Sequence, residues 1–217
     1  MGNSNIVPLQ PHPIHPLRSL KQLATKADRI ALRYDQIEEL LDTLREKLEA
    51  TTDRKLIDQL IADARRTAVL TEQDKALLAW CEATLQRFDL DDAYEIDDDK
   101  KWFLKPSAVA PRVAVLVGGF PSGSPPDPAV YLKVMMEHVS NDSALGLIEL
   151  DAAIWEATGT LKFIPSVSEL LGIVKRQNQQ WHRRLGGIHN IAEASSWTLT
   201  EIEELEGEAM ARVQQAR

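Results

Sequence analysis

Apolar residues recur at intervals of three and four over most of this chain, and the places where that rhythm stops divide it into segments. Leu20, Leu23, Ala27, Ile30, Tyr34, Ile37, Leu41, Leu44 and Leu48 follow one another with no proline or glycine between them. Such a heptad seam predicts one continuous helix over residues 20–48. Thr51-Thr52-Asp53 then offers hydroxyl and carboxylate groups that can cap a second helix. Ile57, Leu60, Ile61, Ala64 and Ala68 restart the pattern. Thr71, followed by Glu72 and Asp74, marks a further cap or kink before Leu77, Leu78, Cys81, Leu85 and Phe88. Residues 17–89 are therefore expected to form a helical hairpin, 17–50 against 53–89, or a coiled coil whose seam meets a second copy as a homodimer.

Residues 126–176 carry a second, more heavily punctuated pattern. Pro126 to Pro128 can open a helix, because the fixed φ of proline suits a first turn. Tyr131, Val134, Met135 and Val139 share one face of it, and Asn141-Asp142-Ser143 breaks it. Leu147, Leu150, Ile154 and Trp155 continue to a stop near Gly159. Phe163-Ile164-Pro165-Ser166-Val167-Ser168-Glu169 then contains the S-x-x-E capping box, in which Ser166 and Glu169 satisfy backbone N–H groups reciprocally. The Phe163 ring is expected to fill the core of this module. Upstream, Val113 to Val117 has the local character of a buried strand but no partner strand. A lone strand leaves its hydrogen bonds unmade, so a short helix near 109–118 is predicted. The expected fold class is all-α: a long N-terminal helical hairpin or coiled coil plus a small C-terminal helical module at 109–176.

Charge and proline refine these boundaries. Pro8, Pro11, Pro13 and Pro16 make residues 1–16 a disordered Pro-rich arm. The formal net charge is −8, which opposes bulk electrostatic binding to nucleic acid. Its distribution is uneven: residues 91–105 hold 3 basic and 6 acidic side chains, and residues 191–217 hold 2 and 6. Residues 90–108 are accordingly read as an acidic linker. Residues 177–217 are read as a basic segment and an exposed acidic helical tail, capped by Thr200 and Glu203. Between Leu170 and Ala192 there is no Asp or Glu. Lys175, Arg176, Trp181, Arg183 and Arg184 fall inside this flexible, acid-free stretch and are the candidate binding residues. Four cations and a tryptophan suit a phosphate backbone with a stacked base, as in single-stranded DNA, or an acidic protein groove. They equally suit a solvated helix end whose cations complement the helix dipole.

Reaction chemistry is sparse. Cys81 is the lone cysteine and lies on an apolar face, where an inert thiol is the ordinary role. His12 and His15 lie in the proline-rich arm, and His182 and His189 are seven residues apart rather than the three or four that place two ligands on one turn. The carboxylates at 91–99 lack the glycine turn and closing glutamate of a calcium loop. Neither G-x-S-x-G nor H-E-x-x-H occurs. No catalytic residue, metal or cofactor is expected, and the absence of long apolar runs and of a signal-peptide pattern leads to a cytoplasmic, membrane-free expectation.

One resemblance accompanies the module. The order Phe120-Pro121, Asp127-Pro128, Tyr131, Met135, Val139, Ile154 and Lys162-Phe163-Ile164-Pro165-Ser166-Val167-Ser168-Glu169-Leu170-Leu171 resembles small helical proteins of prophages. Its F-x-P-[ST]-x-x-E segment is similar to that of phage helicase-loader and helicase-inhibitor proteins. That resemblance covers about residues 109–176. It implies a non-enzymatic DNA-replication accessory protein that binds a replicative helicase, with Phe163, Pro165, Ser166 and Glu169 as its structural motif. The alternative is an oligomeric coiled-coil scaffold or adaptor.

Overall fold

The computed structural model describes residues 16–88, 93–99, 101–120, 125, 127–142 and 145–215. The arm at 1–15 with His12 and His15, Asp91 and Asp92 of the acidic cluster, Lys100 and residues 121–124 lie outside the described residues. Among those described, the order is α1 (Pro16–Glu38), α2 (Leu40–Glu49), α3 (Arg54–Ala68), α4 (Glu72–Leu85), β1 (Tyr94–Ile96), β2 (Trp102–Leu104), α5 (Pro106–Gly118), α6 (Pro128–Ser140), α7 (Leu147–Thr160) and α8 (Val167–Gln215). Among the described residues the fold is all-α apart from one two-stranded hairpin.

The organising element is α8, whose 49 residues span roughly 74 Å at the usual helical rise. Three apolar clusters are strung along it. The first gathers Leu170, Ile173 and Val174 with α5, α6 and α7. The second sets Trp181, Ile188 and Ile191 against Leu20, Leu23, Ala27 and Ile30 of α1 and Cys81 of α4. The third closes Ile202, Leu205, Ala209 and Val213 over Leu41, Leu44 and Leu48 of α2 and Ile57, Ile61 and Ala64 of α3. One helix thus contributes to every core.

The ion pairs and backbone contacts give the directions. Asp28 meets Arg184 and the Leu48 carbonyl meets Arg212, so α1 and α2 run parallel to α8. Arg65 pairs with Glu206 at 2.6 Å and Ser195 Oγ donates to the Ala68 carbonyl at 2.7 Å, so α3 runs antiparallel to it. Lys26 sits over the Trp80 ring and Arg33 pairs with Asp74, which makes α4 antiparallel to α1. The caps read from sequence are present: Asp53 accepts from the Lys55 N–H, and Thr71 with Asp74 forms a reciprocal capping box.

Several expectations change. The 20–48 seam is interrupted at Glu39, yet eight of its nine apolar positions are buried. Only Tyr34 reaches outward, donating to Glu38 at 2.5 Å. Helices of the same chain fill the seam, so the 17–89 hairpin is completed into a bundle by α8. The module's third helix does not end near 176: of the expected basic segment and tail, residues 177–215 are neither flexible nor separate but belong to α8. Thr200 caps nothing; its hydroxyl bonds the Ser196 carbonyl one turn earlier. The acidity of 201–208 falls on the outward side, while Ile191, Ser195, Thr198, Ile202, Leu205, Ala209 and Val213 form a buried seam at spacings of three and four. Within the expected linker, β1 and β2 pair antiparallel, with Ile96 opposite Trp102 and Tyr94 opposite Leu104. The doubtful segment at 113–117 is helical, as hydrogen-bond accounting predicts, inside α5.

Candidate partner-binding site

The basic stretch is spent on structure. Trp181 is fully buried in the second cluster, at 0% exposure, which removes its ring from any stacked base. Arg184 covers that ring with its guanidinium at 4.9 Å and makes two hydrogen bonds to Asp28, at 2.7 and 3.1 Å. Arg183 pairs with Asp35, also on α1, and this partner holds its pKa above the usual arginine value. Arg176 reaches across to Glu156 of α7 at 2.5 Å, and Gln177 joins the same carboxylate at 2.7 Å. Burial acts to raise the Glu156 carboxyl, but those two hydrogen bonds and the Arg176 charge outweigh it and the net direction is down. Of the five candidates Lys175 alone is exposed without a charged partner among the described residues, beside Gln179 and His182 on a shallow groove. The acid-free run arises because its countercharges sit on other helices, and periodicity along one segment cannot show that.

The other motif residues converge on one loop. Residues 161–166 join α7 to α8 and are pinned from both sides. The Leu161 N–H donates to the Ala157 carbonyl at 2.9 Å. Tyr131 of α6 donates its hydroxyl to the Pro165 carbonyl at 2.7 Å. Burial, and secondarily Glu169, pushes the Tyr131 phenol up to about 12, which keeps it protonated as that donor. The capping box is complete: the Ser166 N–H donates to Glu169 Oε2 at 2.8 Å, and the Glu169 N–H to Ser166 Oγ at 3.3 Å. Hydrogen bonds from the Ser166 hydroxyl and then its N–H hold the Glu169 carboxyl below its ordinary range.

Pinned this way, the loop sends Ile164 and Pro165 inward and Phe163 outward. Phe163 is 62% exposed, so it does not fill the module core; Ile164 packs there in its place. Lys162 lies over the Phe163 ring at 5.6 Å. An exposed aromatic on a rigid loop can enter a partner's pocket at small entropic cost, because little backbone freedom remains to be lost.

The remaining polar features are buried or dispersed. Glu149 folds back on the start of α7, accepting from the backbone N–H groups of Glu149 and Gly146, while burial dominates and raises its pKa. Asp151 pairs with Arg112 at 2.9 Å, yet burial again prevails and raises it. Burial also lifts the Cys81 thiol, against the opposing pull of Lys26, which disfavours the reactive thiolate. An open groove of about 450 Å³ lies among Val69, Leu78, Glu82, Ser196 and Leu199. Among the described residues no group of three His, Cys, Asp or Glu could hold a metal ion, and no helix is long and apolar enough to cross a membrane. Comparison with known proteins finds no matching family model, no matching curated protein and no matching solved structure.

Proposed function

We propose that this chain is a non-enzymatic accessory protein of phage-type DNA replication that binds a replicative helicase, with the 161–166 loop as its contact. The observation that carries the reading is the exposure of Phe163 on a loop otherwise held rigid by Tyr131 and the Ser166–Glu169 box. The helicase as partner comes from the likeness of the F-x-P-S-x-x-E segment to phage helicase-loading proteins. The runner-up, an oligomeric scaffold, rests on a heptad seam that is already occupied by α3, α4 and α8. The Lys175–Arg184 stretch drops out as the contact, because its arginines are paired and its tryptophan is buried.

The test is a pull-down or light-scattering titration with the hexameric replicative helicases of phage and host, and a separate titration with single-stranded DNA. The reading expects a complex with one helicase and none with DNA alone. Absence of any helicase complex at low salt would discard it.

A further inference from the structure

We infer that the β1–β2 hairpin is a docking site for a basic, extended segment of a partner protein, a site distinct from the Phe163 loop and independent of the helicase reading.

The base of the hairpin is anchored. Ala93 and Leu104 are buried in the first apolar cluster, and the Tyr94 hydroxyl accepts the Leu147 N–H at the start of α7. The Lys105 N–H donates to the Ala93 carbonyl and the Asp97 N–H to the Lys101 carbonyl, so 93/105 and 97/101 are hydrogen-bonded pairs. Ile96 and Trp102 therefore form a non-hydrogen-bonded pair, the kind whose side chains stand closest. They continue the face that Leu104 buries, but beyond the core: Ile96 is 55% and Trp102 57% exposed. The Tyr94 ring meets Trp102 edge-on at 6.2 Å. The result is an apolar ledge on a sheet of two strands.

Charge selects the occupant. Glu95 and Asp97 stand on the opposite face of this thin ribbon and Asp98 and Asp99 lie at its turn; all four are exposed, Asp97 Oδ1 accepts the Lys101 N–H at 2.7 Å, and Lys101 is engaged by Asp99 at 3.5 Å. Residues 94–104 carry these four carboxylates against two lysines. An acidic edge repels a second copy of itself, a phosphate backbone and an anionic membrane surface. It favours an extended segment that alternates apolar and Lys or Arg side chains, with apolar contacts to Ile96 and Trp102 and its cations drawn to the carboxylates of the ribbon.

The full-length protein, labelled with ¹⁵N, can be titrated with a short synthetic peptide alternating Lys and Val, and with its Glu and Val counterpart. The indole N–H resonance of Trp102, assigned from Trp102→Phe, reports on the ledge. The Lys peptide is expected to shift that resonance saturably and the Glu peptide to leave it in place. Joint replacement of Asp97, Asp98 and Asp99 by Asn should weaken binding by about tenfold or more, as should raising salt from about 0.05 to 0.5 M. Ile96→Ser should weaken it with an unchanged melting temperature, since the side chain is exposed. The inference is overturned if the Lys peptide leaves the Trp102 resonance unmoved, if both peptides move it alike, or if the Asn variant binds equally well. It is also overturned if the resonance shifts with the protein's own concentration, which would make a second copy the occupant.

Discussion

Phe163 and Ser166 stand three residues apart on one loop and do opposite work. Ser166→Ala removes an N-cap and is expected to cost about 1 kcal/mol of stability. Phe163→Ala removes a ring that lies mostly in solvent and should stay within about 0.5 kcal/mol of the parent. Denaturant midpoints for the two variants check both, and a loss for Phe163→Ala matching that of a core aromatic would show the ring packed after all. Glu149 allows a pH prediction. Its folded pKa is raised, so the folded chain retains a proton that the unfolded chain has released over that interval. The resulting stability is complete below the ordinary carboxylate range and is lost as pH rises through the raised value. Glu149→Gln keeps the shape and an acceptor oxygen without the buried charge. Its melting temperature should exceed the parent's by a few degrees at neutral pH, with the gap closing in acid. A constant gap across the titration would mean that the carboxylate's ionisation is not what opposes folding.

At the scale of elements, the crossing of α1 over α8 turns on adjacent glycines with different surroundings. A Cβ on Gly187 would lie 2.7 Å from the Ala31 Cα, whereas one on Gly186 would meet nothing within 4 Å. Gly186→Ala should therefore stabilise by about 0.5–1 kcal/mol through helix propensity. Gly187→Ala should destabilise by about 1–3 kcal/mol, because two backbones must move apart. Unfolding curves of equal sign for the pair would contradict this packing. Element existence was legible wherever the apolar repeat was strong and its caps were local, as at Asp53, Thr71 and Ser166. It was lost where the code is distributed. The seam of α8 includes Ser195 and Thr198, whose burial depends on neighbours such as the Ala68 carbonyl, so the local pattern suggested an exposed tail. The strands of the hairpin are three residues each, too short for alternation to stand out beside five neighbouring carboxylates and lysines. Of the candidate site, the capping box was readable because it is made within four residues. The pairing of Arg176, Arg183 and Arg184 was not, because Glu156, Asp35 and Asp28 lie on helices distant in sequence.

The whole molecule is built on α8, with the module on its first third and the two halves of the N-terminal hairpin on the rest. Leu41 sits where α2, α3 and the end of α8 share one cluster. Leu41→Asp is expected to destabilise by about 3 kcal/mol or more, since a carboxylate there loses water without gaining a partner. The parent should sediment as a monomer over a wide concentration range, because the heptad seam is filled from within. A concentration-dependent dimer that Leu41→Asp dissociates would assign the seam to a second chain instead. This architecture leaves Phe163 62% exposed on a pinned loop. On the proposed function, the ring serves a partner and not the fold. The most direct measurement is the affinity of a replicative helicase for the parent and for Phe163→Ala, taken beside their melting temperatures. Phe163→Ala is expected to lose about tenfold or more in affinity at unchanged stability. Equal binding by the two proteins, or a fall in stability that accounts for the lost binding, would contradict it.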